Sequence, residues 1–576
     1  MADLEKLSPS RDLDSSELEA VFIHIYRRLA AQRNQADLWA SAEYEYSSKK
    51  RNAETLKNQF MHELQHWAQH FLKHTWAICE EPGGKVCPQL SSTSDTSTNG
   101  LKPLPPHDRL SKVLNAVLFL QVTTSKQYSC RTRTFLAPFG DLDEAVVAAT
   151  LKDPHSAVQA AEKRTAQTKE EHAERGKAWR NAGIGLGAVA GGVLIGVTGG
   201  LAAPLVGAGV TTVLAWLGVG GTAAGLLASG LAGSSAVCGA LFGAYGAKST
   251  AAMVERHTRE VRDFAFVPVR PVKDTMAVRL CVSGWLYAPE DVTAPWTVFA
   301  GDDTYALQWE VEALQKLANA LLDLAKSHAM KYVKGQIIKR TVLASLMSSL
   351  APIAWLKLGQ IIDRHLVDFI DRNTKDNPWM NAKALATKAG QVLGTLLAER
   401  VFGNRPVTLS GYSLGALVIF EALIYLTTLP AAQTLHLVQD VFLFGAPLTT
   451  DKASWSAVRR LVSGRLVNGY TEGDYVLAVL QRASAAEWGV AGLQEIGVAG
   501  VENVKCEDVE GHLKWRGMVG RCLQRCEAPG IVGEEVEKQM ANIAKKIDEE
   551  MENNDNDNGE DFQEEELQEF EKGHAL

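Results

Sequence analysis

Cysteine is scarce in this chain, and its spacing shows no disulfide pattern. The eight cysteines among 576 residues are scattered, and Cys238 and Cys281 fall in apolar runs. This usage excludes a small disulfide-stapled secreted domain and favours a reducing compartment. The first residues, MADLEKLSPSRDLD, are polar, so we expect no cleavable secretory signal.

The chain also lacks an excess of positive charge, since its formal net charge is −8. From Glu534 onward there are sixteen acidic and four basic residues, a net of −12. We therefore expect no nucleic-acid partner and an acidic, largely disordered tail over 534–576. The hydrophobic content of 46% is ample for buried cores in about two to four domains.

Charge is missing altogether from one long stretch. Residues 181–247 contain 19 glycines, and no charged residue occurs between Arg180 and Lys248. A bilayer crossing needs about 20 apolar residues, so a glycine-rich transmembrane hairpin with two passes, near 183–203 and 222–246, is predicted. Three shorter passes are an alternative. Lysine and arginine flank both sides, which predicts that both termini are cytosolic. A buried hairpin in a soluble core, or a segment with gated insertion, is the alternative.

The amino-terminal region has helical periodicity. Helices are predicted over SSELEAVFIHIYRRLAAQ with a serine cap, then over about 36–79 and 107–121. We expect a helical bundle at 1–141 and a solvated, charged helix at 142–180. The bundle and the acidic tail would offer surfaces to protein partners.

The stretch VTLSGYSLGA at 407–416 is the strongest indication of a catalytic function, because an apolar strand runs into G-x-S-x-G and then a helix. Such a turn places Ser413 at the strand's carboxyl end. It is so tight that a Cβ at Gly411 or Gly415 would collide with the strand or the helix. The pattern predicts a nucleophile elbow, with a glycine-flanked structural turn as the alternative.

A nucleophilic serine needs a histidine base, and the base needs a carboxylate. In the hydrolase fold that uses this elbow, the chain order is serine, acid, histidine. Three histidines follow Ser413. His436 lies at the wrong end of an apolar run and His574 lies in the acidic tail, which leaves His512, after the strand-like ENVKCEDVEG. An exposed loop histidine is the alternative.

The carboxylate is predicted to be Asp474, which follows the strand candidate GRLVNGY. Asp451 is the second choice, because some enzymes take the acid from one strand earlier. Glu472 and Asp508 are less favoured, and Asp440 lies at the start of its strand. A surface-turn aspartate is the alternative for Asp474.

An oxyanion site needs two backbone N–H groups aimed at the developing charge. The N–H of Leu414, directly after the nucleophile, is expected to be one. The apolar run AVRLCVSGWL ends at Gly284, which favours Trp285 or Leu286 as the other. A simple strand-ending turn is the alternative.

Together these elements predict an α/β fold with a mostly parallel, α/β-hydrolase-like sheet over 264–530. The helical block at about 304–400 would form a cap. Its charge-free part, 341–356, is short for a crossing but long enough to lie on a bilayer or to roof an acyl slot.

A literal H-E-x-x-H motif occurs on a predicted helix as His62, Glu63 and His66. Such a motif holds zinc only with a third ligand from another direction. The extended motif H-E-x-x-H-x-x-G-x-x-H is absent, because Gln69 stands at its glycine position and Leu72 at its last histidine position. We therefore predict no metal and no other cofactor.

Several stretches, among them NRPVTLSGYSLGALVIFEAL, LVQDVFLFGAPLTT and GVENVKCEDVEGH, resemble the transmembrane and coiled-coil domain-containing protein 4 family. The pieces VSGWL, YALQWEVEAL and NPWMNAKALATKAGQVLGTLL extend the resemblance over most of 260–520. The resemblance implies a membrane protein with a serine-hydrolase-type domain in which Ser413, Asp474 and His512 occupy the triad positions. It implies no proven reaction.

The sequence thus favours a membrane-anchored serine hydrolase, lipase-like or esterase-like, that cleaves a lipid or acyl ester on the cytosolic face of an unspecified organelle. Its activity should fall below about pH 6.5, where an ordinary imidazole becomes protonated. The alternative is an inert hydrolase-fold scaffold or trafficking adaptor in the membrane.

Overall fold

The structure describes several separate ranges of the chain. The expected first membrane pass at 183–203 and the cap stretch 341–356 lie outside them, as does the tail beyond 542. The computed structural model describes residues 2–9, 11–164, 167, 210–243 except 212 and 216, 261–326, 377–484 and 489–542.

The amino-terminal region is helical, as its periodicity predicts. Helix α1 begins after Asp14, whose carboxylate accepts the N–H of Glu17 while the Glu17 carboxylate accepts the N–H of Asp14. The cap is thus Asp14 and not the expected serine, since this reciprocal pair satisfies two N–H groups at once. The helices are α1 Ser15–Tyr46, α2 Lys50–Ile78, α3 His107–Ser125, α4 Cys130–Leu136 and α5 Glu144–Lys152.

The described part of the glycine-rich segment forms helices α6 Gly221–Ala232 and α7 Ser234–Cys238, followed by a π-helical turn at Gly239–Gly243. Helix α6 packs closely on α3, since a Cβ at Gly230 would lie 2.7 Å from Thr123 Oγ1. Among the described helices, none is by itself long and apolar enough to cross a membrane. Of these described helices, only the bent pair Gly221–Ala232 and Ser234–Phe242 has suitable length and composition, with 62° between its halves. This pair covers most of the expected second pass at 222–246.

A seven-stranded sheet organises the rest of the described chain. Its order is β1-β3-β2-β4-β5-β6-β7, and all neighbours are parallel except β1 and β3. This confirms the expected α/β class with a mostly parallel sheet. The strands are β1 Ala265–Pro268, β2 Val278–Val282, β3 Asp303–Gln308, β4 Val407–Tyr412, β5 Val438–Phe444, β6 Leu466–Tyr470 and β7 Val501–Lys505.

Burial follows strand position. Every residue of β2, β4 and β6 is buried, whereas the edge strands β1 and β7 are partly exposed. Inner parallel strands are covered on both faces, so successive side chains are buried whichever face they point to. Because β2, β4, β6 and β7 run in the same direction, the loops that follow them meet at one edge of the sheet.

Helices connect and cover these strands. The expected cap at 304–400 begins later than predicted, because residues 303–308 pair with β2 and β1 as strand β3. The remaining helices are α8 Val311–Lys326, α9 Pro378–Ala398, α10 Leu414–Thr427, α11 Ala431–Thr434, α12 Lys452–Leu461, α13 Tyr475–Ser484 and α14 Trp515–Arg525. Residues 154–164 and 533–542 are also helical.

Two hydrophobic cores result. One is built almost entirely from the amino-terminal helices and α6, and the other lies around the sheet and its helices. Six tryptophans are among the largest fully buried side chains, and all of them belong to the sheet core: Trp285, Trp296, Trp309, Trp379, Trp455 and Trp515. Three of these, Trp285, Trp379 and Trp515, lie next to the residues discussed below.

Candidate active site

Ser413 occupies a strained turn between β4 and α10. Its backbone has φ +54° and ψ −130°, a conformation that a residue with a side chain rarely adopts and that costs on the order of 1–3 kcal/mol. The Ser413 N–H donates to the carbonyl of Phe444 at 2.9 Å, which holds the turn against β5. A Cβ at Gly415 would collide with the carbonyl of Val282, and one at Gly411 would lie 2.7 Å from the Ile419 side chain. Packing against backbone therefore requires glycine at 415. At 411 a Cβ would displace the end of a side chain and crowd the backbone of Gly415 and Ala416 at 3.0 Å.

Three polar side chains that lie far apart in the sequence meet at this turn. Ser413 Oγ lies 2.5 Å from His512 Nε2, and His512 Nδ1 lies 2.7 Å from Asp474 Oδ2. An ionised carboxylate can only accept, so the imidazole proton lies on Nδ1 and Nε2 accepts from the serine hydroxyl. All three side chains are fully buried. The structure thus brings together the residues that the sequence proposed as nucleophile, base and acid.

Asp474 has two further donors. The Trp515 indole N–H donates to Oδ2 at 2.8 Å, and the N–H of Leu477 donates to Oδ1 at 2.9 Å. Hydrogen bonds to the charged form stabilise the carboxylate in this buried place. Trp515 also fills the space beside Gly445, where a Cβ would collide with the indole. Sequence reasoning missed Trp515; the only signal for it was its position three residues after His512.

The loops that carry the acid and the base are joined directly to each other. The N–H of Gly511 donates to the carbonyl of Gly473 at 3.0 Å, and Thr471 Oγ1 donates to the carbonyl of Val509 at 3.1 Å. Gly511 has φ +79°, and a Cβ there would lie 3.1 Å from the Tyr475 hydroxyl. These contacts fix the spacing between the two loops that follow β6 and β7.

The loop after β2 lies against the serine turn. A Cβ at Gly284 would lie 2.6 Å from both Leu414 N and Ser413 Cβ, so only glycine permits this approach. Trp285 follows and is fully buried. Its carbonyl accepts from the Tyr412 hydroxyl at 3.4 Å; burial raises the pKa of Tyr412, so this phenol remains a donor. The loop therefore brings Gly284, the residue before the proposed donor Trp285, against the backbone of Ser413 and Leu414.

Helix α9 covers the histidine. The ring of Trp379, in the first turn of α9, stands edge-on to the imidazole of His512, with 6.3 Å between centroids and 85° between planes. Asn377 caps this turn by accepting the N–H of Met380 at 3.0 Å. Helix α9 thus contributes to the complete burial of His512.

The other carboxylates considered from the sequence have different roles. Asp451 caps α12 by accepting the N–H of Ser454 at 2.9 Å. Glu472 is exposed and lies 3.3 Å from Lys505, and Asp508 is exposed near Arg525. Asp440 accepts the N–H of Arg465 at 2.7 Å within the sheet.

The other two histidines that follow Ser413 are also placed differently. His436 Nδ1 lies 2.7 Å from Ser129 Oγ, at the opposite end of the strands. His574 lies outside the described residues.

The histidines of α2 do not form a ligand cluster. His62 is exposed and lies 3.4 Å from Glu63, while the His66 and His70 rings are 6.4 Å apart. His74 is buried and its Nδ1 lies 2.9 Å from the Gln121 amide nitrogen. Within the part of the chain that the structure describes, no three His, Cys, Asp or Glu side chains are grouped so that they could hold a metal ion.

Fold and site define an α/β protein with a buried Ser–His–Asp hydrogen-bond chain at the carboxyl edge of a mostly parallel sheet. The chain belongs to the family described as protein of unknown function (DUF726), which matches residues 177–528. No solved structure matches this chain.

The curated relatives agree with the resemblance found in the sequence. An uncharacterized membrane protein of Schizosaccharomyces pombe, C6F6.13c, is 37% identical over 60% of this chain and 58% of its own length. The transmembrane and coiled-coil domain-containing protein STS1 of Oryza sativa subsp. japonica is 35% identical over 64% of this chain and 56% of its own. The probable lipase MIL1 of Saccharomyces cerevisiae is 37% identical over 55% of this chain and 27% of its own. The chain thus spans little more than half the length of the first two relatives.

Proposed function

We propose that this chain is a membrane-anchored serine hydrolase that cleaves an ester bond in a lipid or other acyl ester. The observation that carries the proposal is the continuous hydrogen-bond chain from Ser413 Oγ through His512 to Asp474. The strained backbone of Ser413, with φ +54° and ψ −130°, supports it, because strain of this kind is concentrated at functional sites. The relative named probable lipase agrees with an ester substrate.

The proposed reaction follows from the positions of these atoms. Ser413 Oγ attacks the ester carbonyl carbon while His512 Nε2 takes the hydroxyl proton, and Asp474 stabilises the resulting imidazolium. The N–H groups of Leu414 and Trp285 stabilise the negative carbonyl oxygen. When the C–O bond breaks, His512 gives its proton to the leaving alcohol. Water then attacks the acyl-enzyme by the same route, and the acid is released.

Membrane anchoring is part of the proposal. The charge-free stretch 181–247 and the relatives named as membrane proteins support it. We propose that this stretch enters the bilayer as a hairpin, with both termini and the sheet domain on the cytosolic side. Insertion of its second half requires α6 to leave its packing on α3. The lipid bilayer would then be both the anchor and the source of substrate.

A second function is favoured by one specific observation. Ser413, His512 and Asp474 are all fully buried, as expected of a fold that has become an inert membrane scaffold or adaptor. A closed enzyme shows the same burial, so reactivity separates the two.

The test is labelling of the full-length protein with a fluorophosphonate probe, in buffer and with phosphatidylcholine vesicles. We expect labelling of the wild type and its loss in Ser413→Ala. Ser410→Ala is the matched control, because Ser410 is also fully buried on β4 but its hydroxyl has no hydrogen-bond partner among the described residues. Wild-type protein that stays unlabelled under both conditions would refute the hydrolase and support the scaffold.

A further inference from the structure

The loop after β2 is tied to helix α14 by a buried ion pair. Arg516 Nη1 donates to Asp291 Oδ2 at 2.7 Å, and the two side chains are 2% and 11% exposed. The two residues are 225 positions apart in the chain. Removing both charges from water costs free energy that their attraction barely offsets. A pair buried this deeply is therefore weak evidence that it serves to stabilise the fold. Its place in the molecule points to another role.

Asp291 organises the loop that contains the proposed oxyanion donor. Its Oδ2 accepts the N–H of Tyr287 at 2.9 Å and the N–H of Ala288 at 3.1 Å. Its own carbonyl accepts from Ser283 Oγ at 3.1 Å. Both ends of the segment 283–288 are therefore bonded to this single residue. The position of Asp291 determines where the backbone between them lies.

Arg516 contacts the same loop through its flat face. Its guanidinium carbon lies 5.2 Å from the ring centroid of Trp285 and 4.7 Å from that of Tyr287. A guanidinium can bind a carboxylate in its plane and stack on aromatic rings at the same time, which an ammonium cannot do. Arg516 thus holds the loop through the carboxylate of Asp291 and through the rings of Trp285 and Tyr287.

The neighbour of Arg516 in the chain is Trp515, which binds Asp474. Consecutive residues at the start of α14 therefore hold the triad acid and the loop beside the nucleophile. We propose that the Asp291–Arg516 pair is a positioning pair that sets the Trp285 N–H at the distance from Ser413 that the oxyanion requires. This inference rests on the proposed function and adds two residues to it.

The experiment compares full-length wild type with Arg516→Gln. Hydrolysis of p-nitrophenyl butyrate is measured together with inhibition by an alkyl trifluoromethyl ketone, whose adduct with serine carries a negative oxygen. We expect kcat to fall by about 100-fold, the lower end of the effect of losing one oxyanion donor, with KM nearly unchanged. Affinity for the ketone should fall by a similar factor. The midpoint of the pH profile should not move, since the base and the acid keep their contacts.

Two controls separate positioning from folding. Arg521→Gln is the matched control, because Arg521 lies on the same helix but is 46% exposed and pairs with Glu537 on the surface. Arg516→Lys keeps a positive charge beside Asp291 and loses the flat stacking face. It should melt near the wild-type temperature and still lose at least tenfold in kcat. If Arg516→Gln does not fold, Arg516→Lys decides.

The outcomes distinguish the two proposals. A reactive wild type whose kcat and ketone affinity survive in both Arg516 variants would overturn the positioning pair alone. An equal loss in Arg521→Gln, or a loss confined to KM, would do the same. A wild type without serine reactivity would overturn the proposed function and this inference together.

Discussion

At the scale of single residues, the hydrogen bond that the Trp515 indole N–H donates to Asp474 leads to a prediction. In Trp515→Phe the ring is kept and the 2.8 Å hydrogen bond to the carboxylate is lost. A hydrogen bond to a charged group contributes about 1.5–3 kcal/mol. If about 1.4 kcal/mol of that falls on the reaction, the rate decreases tenfold. We expect fluorophosphonate labelling to be about tenfold slower, measured over time on gels.

Trp455→Phe is the matched control for that prediction. Trp455 is equally buried, and its indole N–H donates at 2.8 Å to the neutral carbonyl of Thr449. The variant should lose about 1 kcal/mol of unfolding free energy in urea and keep its labelling rate. Equal slowing in both variants would show that Trp515 acts only through general stability.

The sequence allows only part of this site to be predicted, for physical reasons. Ser413 could be located because its strained turn requires glycines two residues away on either side. Asp474 and His512 followed from chain order and from their positions after strands. Trp515 and Arg516 belong to no sequence motif, because each acts on a residue brought near only by the completed sheet. The sequence likewise could not show that Gly284 faces the backbone of Ser413 and Leu414.

At the scale of elements, the contact between α9 and α10 depends on glycine. A Cβ at Gly390 would lie 2.5 Å from Glu421 Cβ and 2.7 Å from the Val418 carbonyl. Gly390→Ala should therefore push the helices apart and destabilise the fold by about 1–3 kcal/mol, although alanine favours helix. Thermal unfolding measures the effect.

Gly225→Ala is the control for that substitution. Gly225 lies in helix α6, and no atom lies within 4 Å of the position its Cβ would take. The same change should there leave stability unchanged or raise it by up to about 1 kcal/mol. If Gly390→Ala were as stable as Gly225→Ala, close packing would not be what requires glycine in α9.

Element boundaries show where periodicity stops being informative. The predicted start of a second helix near 36 is wrong, because α1 continues to Tyr46 and the break falls at 47–49. Apolar spacing continues through both helices, so nothing in the pattern marks the turn. The predicted helix over 142–180 is interrupted at Asp153, where α5 ends before Pro154, since the residue before a proline is disfavoured in helical conformation.

At the scale of the whole molecule, polar contacts join the helical core to the sheet core. Glu43 of α1 pairs with Arg460 of α12, and both side chains are buried. Arg131 of α4 donates its Nε–H to the carbonyl of Leu435 at 3.1 Å. Ser129 hydrogen-bonds His436, which precedes β5. One group in these contacts, His436, has a pKa that burial lowers, so the joint between the cores should be sensitive to acid.

The pKa of His436 determines in which direction the stability of the folded protein changes with pH. Burial, together with the nearby charges of Arg400, Arg131 and His66, lowers the pKa of His436 from 6.5 to about 3. Between these values the unfolded chain binds a proton that the folded chain does not. The stability contributed by the neutral imidazole is therefore present above pH 6.5 and is lost as pH falls, by about 1.4 kcal/mol per pH unit.

Urea unfolding at pH 7.5, 6 and 5 tests this on the full chain. His436→Asn keeps a polar partner for Ser129 and removes the titrating group, so its stability should depend less steeply on pH than that of the wild type. Some dependence should remain, because burial also lowers the pKa of His74 to about 3. His62→Asn, at an exposed position on α2, should behave as the wild type. Equal slopes for wild type and His436→Asn would mean that the imidazole at the joint is already charged in the folded protein, and that the two cores are held together differently.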